Sequence, residues 1–247
     1  MLSSLRISDR TWWGKAIRLP LALLPADMVM PVLIGPLRGR RWIARSAVHG
    51  CWLGIYEWEK ARLLERSIEP GTVFFDIGAM AGYFTLLAAR LVGPQGRVYA
   101  FEPLPHNLAY LRRHARMHRL DNVTIVEAAV SDSQGVAGFE PGAHASGGRL
   151  AESGPLHVRT IGLDEEIAAG RLPVPHAIKI DVEGAEMQLL KGAARTLQTT
   201  RPRLFLDLHG FLGPSFAHLD KDCKDLLLRF GYRFRQLGKH DVYAWCE

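Results

Sequence analysis

The chain has 247 residues, 48% hydrophobic and 23% charged, which is enough for one full-sized core and excludes a disordered chain, a collagen-like repeat or a disulfide scaffold. With 31 Lys and Arg against 25 Asp and Glu, the net charge of +6 leaves nucleic acid, anionic lipid and acidic substrates open as partners. The three cysteines (Cys51, Cys223, Cys246) are odd in number and lack CxxC spacing, which argues against a zinc site or a disulfide framework and points to a reducing, cytoplasmic location.

The charge is unevenly placed. Residues 1–58 hold eight basic residues (Arg6, Arg10, Lys15, Arg18, Arg38, Arg40, Arg41, Arg45) against three acids (Asp9, Asp27, Glu57), together with five of the six tryptophans (Trp12, Trp13, Trp42, Trp52, Trp58). The remainder is nearly neutral, 23 basic residues to 22 acidic. This shift marks a basic, Trp-rich extension over 1–58, a helix plus a hairpin, ahead of a domain over 59–247. The apolar stretch from Ala16 to Gly35 is interrupted by Arg18, Pro20, Pro25, Asp27 and Pro31, which suits a structural segment better than a membrane span; peripheral contact with the inner face of a membrane is the alternative. No cleaved leader is expected, because no clean apolar run precedes a small-residue cleavage site. MPVLIG and RRWIARS flank Pro36–Gly39 and read as a hairpin, and Ile55–Glu69 reads as a helix whose apolar face includes Trp58, Leu63 and Leu64.

From Gly71 onward, short apolar runs alternate with helical patterns, as in a largely parallel α/β sheet. Strands are predicted at 72–76 (TVFFD), 97–101 (RVYAF), 123–128 (VTIVEA), 177–181 (AIKID) and 203–207 (RLFLD), each apolar enough to be covered on both faces. Helices are predicted over Tyr83–Leu91, Pro105–His118, Glu186–Leu197 and Phe216–Phe230. YRFRQL and VYAWC then read as an antiparallel pair closing one edge. Ser131–Leu156 is rich in Gly, Ser and Ala with little periodicity, and is predicted to be a mobile or substrate-facing loop.

The segment VFFDIGAMAGYFTLLAARL carries the chemistry. A buried strand runs into Asp76, then Gly78 and Gly82, then a helix, and the glycines let the backbone approach a ligand. The pattern is DxGxxxG and not the GxGxxG of a pyrophosphate site. The next strand ends in RVYAFEP, which puts Glu102 where an acid can hold both hydroxyls of a ribose. A nucleoside that carries an amino acid and no phosphate, as S-adenosylmethionine does, suits this set; a strand-end Asp that merely caps the following helix is the bland alternative.

DIGAMAGYFTLLAARL, GRVYAFEPLPHNLAYLRRH, NVTIVEAAVSD and AIKIDVEGAEMQLLKGA together resemble the FkbM-type family of S-adenosylmethionine-dependent methyltransferases, over about residues 48–210. MPVLIGPLRGRRW and HGCWLGIYE are similar to the segment that precedes the core in many bacterial members. The resemblance implies a class I methyltransferase (Rossmann-like) fold, a seven-stranded and mostly parallel sheet, and methyl transfer, usually to a hydroxyl. It assigns Asp76, Gly78 and Gly82 to the methionine-side loop, Glu102 to the ribose, and Ala129 and Ser131 to the neighbourhood of the adenine. Met80 departs from the family, which usually has Asn there, so Met80→Asn is expected to tighten cofactor binding by restoring one hydrogen bond, worth about 1 kcal/mol.

On the acceptor side, AIKIDVEGAE offers Asp181, Glu183 and Glu186, and RLFLDLHG offers Asp207 and His209. Two roles compete. Asp181 and Asp207, with Glu183 or His209, can hold Mg²⁺ to lower the acceptor's pKa; or His209 or Asp181 acts directly as general base. Glu183 and Glu186 also suit a helix N-terminus for structural reasons alone. His106, His114 and His118 fall in a basic helix read as solvated, and nucleic acid is disfavoured as a partner because no RNA-binding module accompanies it. His49, His144 and His157 carry weaker signals. The expected acceptor is a small molecule or saccharide, with an anionic one favoured by the basic extension. N- or C-methyl transfer, or a non-catalytic cofactor-binding or membrane-associated module, are the alternatives. No pattern fixes an oligomeric state.

Overall fold

The structure, a computed structural model, describes residues 25–141, 148–151 and 154–246. The features read at Trp12, Trp13, Ala16–Leu24, the basic residues up to Arg18 and His144 lie outside the described residues.

The hairpin forms as expected, with β1 (Val29–Pro31) antiparallel to β2 (Arg41–Ile43). A short helix not foreseen, α1 (Gly50–Leu53), follows, and the predicted Ile55–Glu69 helix begins only at Trp58 as α2 (Trp58–Ser67), because the chain turns through a left-handed Gly54. The described part of the basic extension is no loose appendage. Val32, Leu37, Trp42, Ala44, Cys51 and Trp52 share one buried cluster with Phe74, Phe84 and Leu87 of the body.

The body is built on β3 (Val73–Ile77), β4 (Arg97–Phe101), β5 (Val123–Val126), β10 (Ala177–Ile180), β11 (Arg203–Asp207), β12 (Arg233–Gln236) and β13 (Asp241–Trp245). They form one sheet in the order β12-β13-β11-β10-β3-β4-β5. β5, β4, β3, β10 and β11 are parallel; β13 runs antiparallel to both β11 and β12 and closes the edge as predicted. The helices α3 (Tyr83–Val92) and α4 (Pro105–His118) fall where the apolar periodicity puts them. The chain leaves β3 toward β4 and β5, then returns to the other side of β3 as β10. The carboxyl ends of β3 and β10 are therefore the topological switch point, where open sheets of this type bind ligands.

Ser131–Leu156 departs from expectation. It contributes to a second sheet made of β6 (Ala129–Ser131), β7 (Gly135–Pro141), β8 (Gly148–Leu150) and β9 (Leu156–Gly162), in the order β6-β9-β7-β8. One face is open to solvent, with Val136 exposed, while Phe139 and Val158 are buried against Leu104. Glycines and polar residues on the open face hide the alternation that identifies strands. A short helix, α5 (Leu163–Ala168), leads from this sheet to β10. The predicted Glu186–Leu197 helix breaks into α6 (Glu186–Gly192) and α7 (Ala194–Thr199): Gly192 packs so tightly that a Cβ there would lie 2.0 Å from the carbonyl oxygen of Ser131. The last helix, α8 (Leu219–Arg229), starts later than predicted, after a single 3₁₀ turn at Pro214–Phe216. No helix among the described residues is long and apolar enough to cross a membrane.

His114, read as part of a solvated basic face, is instead buried. Its Nε2 accepts from the backbone N–H of Ile43 (3.0 Å), so its Nδ1 carries the proton and donates to the carbonyl of Ala81 (2.7 Å). Its ring stacks on Trp42, with centroids 4.0 Å apart. One imidazole thus ties the hairpin to the loop after β3. Burial lowers its pKa from the ordinary 6.5 to about 4. Below 6.5 the unfolded chain takes up a proton that the folded one refuses, so this contribution to stability is complete above pH 6.5 and is lost as the pH falls toward 4. The loss amounts to about 3 kcal/mol. Urea unfolding across this range is expected to show the decline, and His114→Gln, which keeps a donor and an acceptor but takes no proton there, is expected to flatten it; an equal slope in the variant would place the acid sensitivity elsewhere.

Candidate active site

A cleft opens at the switch point. Gly78 and Met80 from the loop after β3, Phe101–Leu104 at the end of β4, Ala128–Val130, Phe139 and Leu150 from the second sheet, and Asp181–Glu183 after β10 line it. Glu102 sits where its strand-end position predicts. One carboxylate oxygen accepts from the backbone N–H of Met80 (2.8 Å) and the other from that of Leu104 (2.8 Å), and Asn107 adds a side-chain hydrogen bond. Burial raises its pKa against the pull of these donors. Glu102 therefore clamps the loop after β3, and with three of its four lone-pair sites taken it keeps one for a ligand hydroxyl.

The other predicted cofactor residues divide. Gly78 and Ala129 line the cleft. Asp76 does not: it is fully buried beneath the loop, where its Oδ2 accepts from Thr85 Oγ1 (2.5 Å) and its Oδ1 lies 3.6 Å from Lys179 Nζ. Gly82 precedes α3 as its cap, and Ser131 lies under α6 with its hydroxyl directed at Asp132 (3.4 Å); neither lines the cleft. Gly78 is obligatory, since a Cβ there would stand 1.9 Å from the carbonyl oxygen of Asp181.

Two buried lysines organise the acids around the cleft. Lys179, inside β10, donates to the carbonyl of Gly78 (2.8 Å) and lies 3.4 Å from Asp181. Lys60, on α2, is 1% exposed and reaches Glu57 (2.5 Å), Asp207 (2.8 Å) and Asp241 (2.7 Å). Both ammonium groups lie over the Phe84 ring, 5.6 and 5.7 Å from its centroid, in cation–π contact. Asp207 is thereby withdrawn from the predicted set: it points at Lys60, not at Asp181 or His209. Burial lifts its pKa to about 6, with Lys60 pulling the other way and Asp181 and Asp241 adding to the rise. The opposite balance holds at Asp181, where burial opposes ionisation but Lys179, Lys60 and His209 keep the carboxyl below its ordinary range.

Asp181, Glu183 and His209 do come together. His209 Nδ1 bonds Glu186 Oε1 (2.6 Å), while its Nε2 lies 3.7 Å from Asp181 and 3.6 Å from Glu183. Those last two gaps exceed hydrogen-bond reach and are wide enough for one oxygen atom to touch all three groups. Burial disfavours the imidazolium, but the bond from Glu186 and the charges of Asp181, Glu186 and Glu183 outweigh it and raise the His209 pKa to about 9. Glu186, a candidate on sequence with a helix-end role as the bland reading, is fully buried and orients His209. Sequence reasoning missed Asn107, Phe139 and Leu150 in the cleft, and both lysines. Lys179 had a signal, a lone cation inside an otherwise apolar strand; Lys60, on an amphipathic helix, had none.

The strand order and the cleft at its switch point define a doubly wound α/β protein of the class I methyltransferase type. Residues 76–234 match the model of the methyltransferase FkbM domain, and the chain belongs to that family. It is 29% identical over 161 residues to the hexuronic acid methyltransferase AglP of Haloferax volcanii, covering 64% of each chain. It is 32% identical over 159 residues to the 31-O-demethyl-FK506 methyltransferase FkbM of Streptomyces tacrolimicus, covering 51% of this chain and 60% of that one. The chain thus spans somewhat under two thirds of the length of these relatives. The crystal structure of the methyltransferase FkbM from Methylobacillus flagellatus superposes with a TM-score of 0.50 at 17% identity, over 81% of this chain and 56% of that one, a likeness of fold.

Met80 stands at a left-handed φ of 51°, a conformation that Asn adopts far more readily than Met. Met80→Asn is expected to raise stability by about 1 kcal/mol through the backbone alone. Thermal melts without ligand test this, and a Tm at or below that of the parent would exclude it.

Proposed function

We propose that this protein transfers the methyl group of S-adenosylmethionine to a hydroxyl of a saccharide or small-molecule acceptor. The observation that carries this reading is one cleft lined by Glu102, Asp181 and Glu183, with His209 set against those last two acids. Apolar Leu104, Ala129, Val130, Phe139 and Leu150 suit an adenine, Glu102 the ribose, and the backbone of Gly78 and Met80 the amino-acid end. S-adenosylmethionine supplies an electrophilic methyl group on a sulfonium. The 31-O-demethyl-FK506 methyltransferase named above and the 2-O-methyltransferase NoeI of Sinorhizobium fredii, 30% identical over 160 residues, support an oxygen acceptor over a nitrogen or carbon one, and the hexuronic acid methyltransferase supports a saccharide.

A hydroxyl that donates its single proton to His209 Nε2, beside Asp181 and Glu183, is held at its attacking position, which supplies much of the rate of an in-line displacement. Glu186 keeps a proton on Nδ1, so Nε2 is the atom that takes the acceptor's proton. The acidic surroundings favour a neutral hydroxyl at this point over an anionic group. Mg²⁺ on Asp181, Asp207 and Glu183 does not fit these residues: Asp207 is held by Lys60, and what remains, two carboxylates and an imidazole, is not the all-oxygen set that Mg²⁺ prefers. No step is assigned to a metal.

Calorimetry is expected to show S-adenosylmethionine binding that weakens at least about tenfold in Glu102→Ala, tightens in Met80→Asn, and is insensitive to EDTA, the tenfold step corresponding to about 1.4 kcal/mol. Because His209 titrates at about 9, its basic form is scarce at neutral pH. Single-turnover rates with a hydroxylated acceptor should climb with pH to a plateau above 9, and His209→Asn should lower them by about 10²–10⁴. Binding without turnover on any acceptor pool would leave only the binding-module alternative, and a flat pH profile would remove His209 as base.

Beside the cluster, Phe211 is 55% exposed, with its ring 5.5 Å from His209 and 4.2 Å from His240. An exposed aromatic face next to hydroxyl-binding carboxylates suits the C–H face of a sugar ring. Phe211→Ala is expected to raise the acceptor KM about fivefold, in line with about 1 kcal/mol for an aromatic contact, while Phe211→Trp and the cofactor affinity stay near parental values. An unchanged KM in Phe211→Ala would remove this residue from the acceptor site.

A further inference from the structure

A second cleft, of about 350 Å³, lies at the other end of the strands. Arg97 opens β4, whereas Glu102 follows its last residue, so the strand of about 13–17 Å separates this cleft from the cofactor side. Four arginines from four places in the fold converge on it: Arg40 from the hairpin, Arg90 near the end of α3, Arg97 from β4 and Arg119 just past α4. His118 joins them, against a single acid, Asp121. Arg41 borders the same surface.

Arginines at helix ends have a bland explanation, since cations are favoured near helix C-termini. It accounts for Arg90 and Arg119 and leaves out Arg40 and Arg97, which lie on no helix. Arg40, Arg97 and Arg119 have no side-chain hydrogen bond or ion pair among the described residues, whereas Arg41 is engaged with the carbonyl of Met117 (2.8 Å) and Arg90 with that of Pro36. The floor is fixed. Asn122 donates to the carbonyls of Ala89 and Gly93 (both 2.9 Å), and His118 is bonded to the carbonyl of Arg41 (2.8 Å). Burial, aided by the charges of Arg40 and Arg41, lowers the pKa of His118, so the cationic field is carried by the guanidinium groups.

Unpaired guanidinium groups around a concave, preorganised surface are what a phosphate group needs: each offers a planar fork that matches two phosphate oxygens. We propose that the cleft formed by Arg40, Arg90, Arg97 and Arg119 binds a phosphate-bearing group, at a site separate from the methyl-transfer centre and independent of the reaction proposed there. The phosphate can belong to a free molecule or to the headgroup of an anionic lipid.

Isothermal titration with inorganic pyrophosphate, and co-sedimentation with phosphatidylglycerol or phosphatidylcholine vesicles, separate the two sources. The full chain is compared with Arg97→Ala/Arg119→Ala and with the lysine pair Arg97→Lys/Arg119→Lys; melting temperatures confirm that each variant is folded. Saturable pyrophosphate binding, weakened about tenfold or more by the alanine pair and less by the lysine pair, establishes the site with a soluble ligand. Co-sedimentation with phosphatidylglycerol but not phosphatidylcholine vesicles, lost in the alanine pair, establishes it with a lipid headgroup. Failure to bind both probes, or binding that the alanine pair leaves intact, overturns the proposal. S-adenosylmethionine affinity is expected to be the same in all variants, whatever its value.

Discussion

Carboxylates gather where the strands of this sheet end, and the arrangement holds only because two ammonium groups are buried among them. Asp76 and Asp181 flank Lys179, while Asp207, Asp241 and Glu57 surround Lys60. Without these cations, neighbouring strands would carry uncompensated like charges in a water-poor layer, which is strongly destabilising. Lys60 also does something a cation within the sheet could not. It comes from α2, before the first strand of the sheet, and it meets acids from β11 and β13, near the end of the chain. Charge thus ties the helix that precedes the sheet to two of its last strands.

The same layer explains how chemically similar acids acquire different states. Asp181, facing Lys179, Lys60 and His209, stays ionised; Asp207, buried with Lys60 as its cationic neighbour and crowded by Asp181 and Asp241, holds a proton more readily. His209, backed by Glu186, becomes a strong base in its neutral form. Backbone strain collects in the same place. Met80 and Glu183 have φ of 51° and 50°, both in loops that line the cleft. Left-handed backbone at non-glycine residues is costly and persists where surrounding contacts over-determine it. Here Glu102 supplies part of that determination through its bond to the Met80 N–H.

Much of this was legible in the sequence, for identifiable reasons. Strands covered on both faces, such as β3 and β11, are apolar runs with abrupt ends, and the periodicity of α4 matches its bounds from Pro105 to His118. Glu102 was placed by its position at a strand end alone. What escaped depended on contacts between distant residues. Asp207 looked equivalent to Asp181 until Lys60, 147 positions away, claimed it. His114 looked solvated because its neighbours in sequence are arginines, while its partners Ile43 and Ala81 are remote. The second sheet was read as a loop because its open face carries the same small and polar residues that loops use.

The absence of a side chain at Gly78 has a mechanical meaning. Its backbone rests directly on the carbonyl of Asp181, with no atom between them that could yield. The loop suited to the methyl donor and the loop that presents a carboxylate to the acceptor therefore shift as a single body. If the two proposed ligands bind against these loops, any coupling through this junction is reciprocal: each changes the affinity of the other by the same factor. A substitution that displaces either loop is therefore felt by the other through a rigid peptide contact.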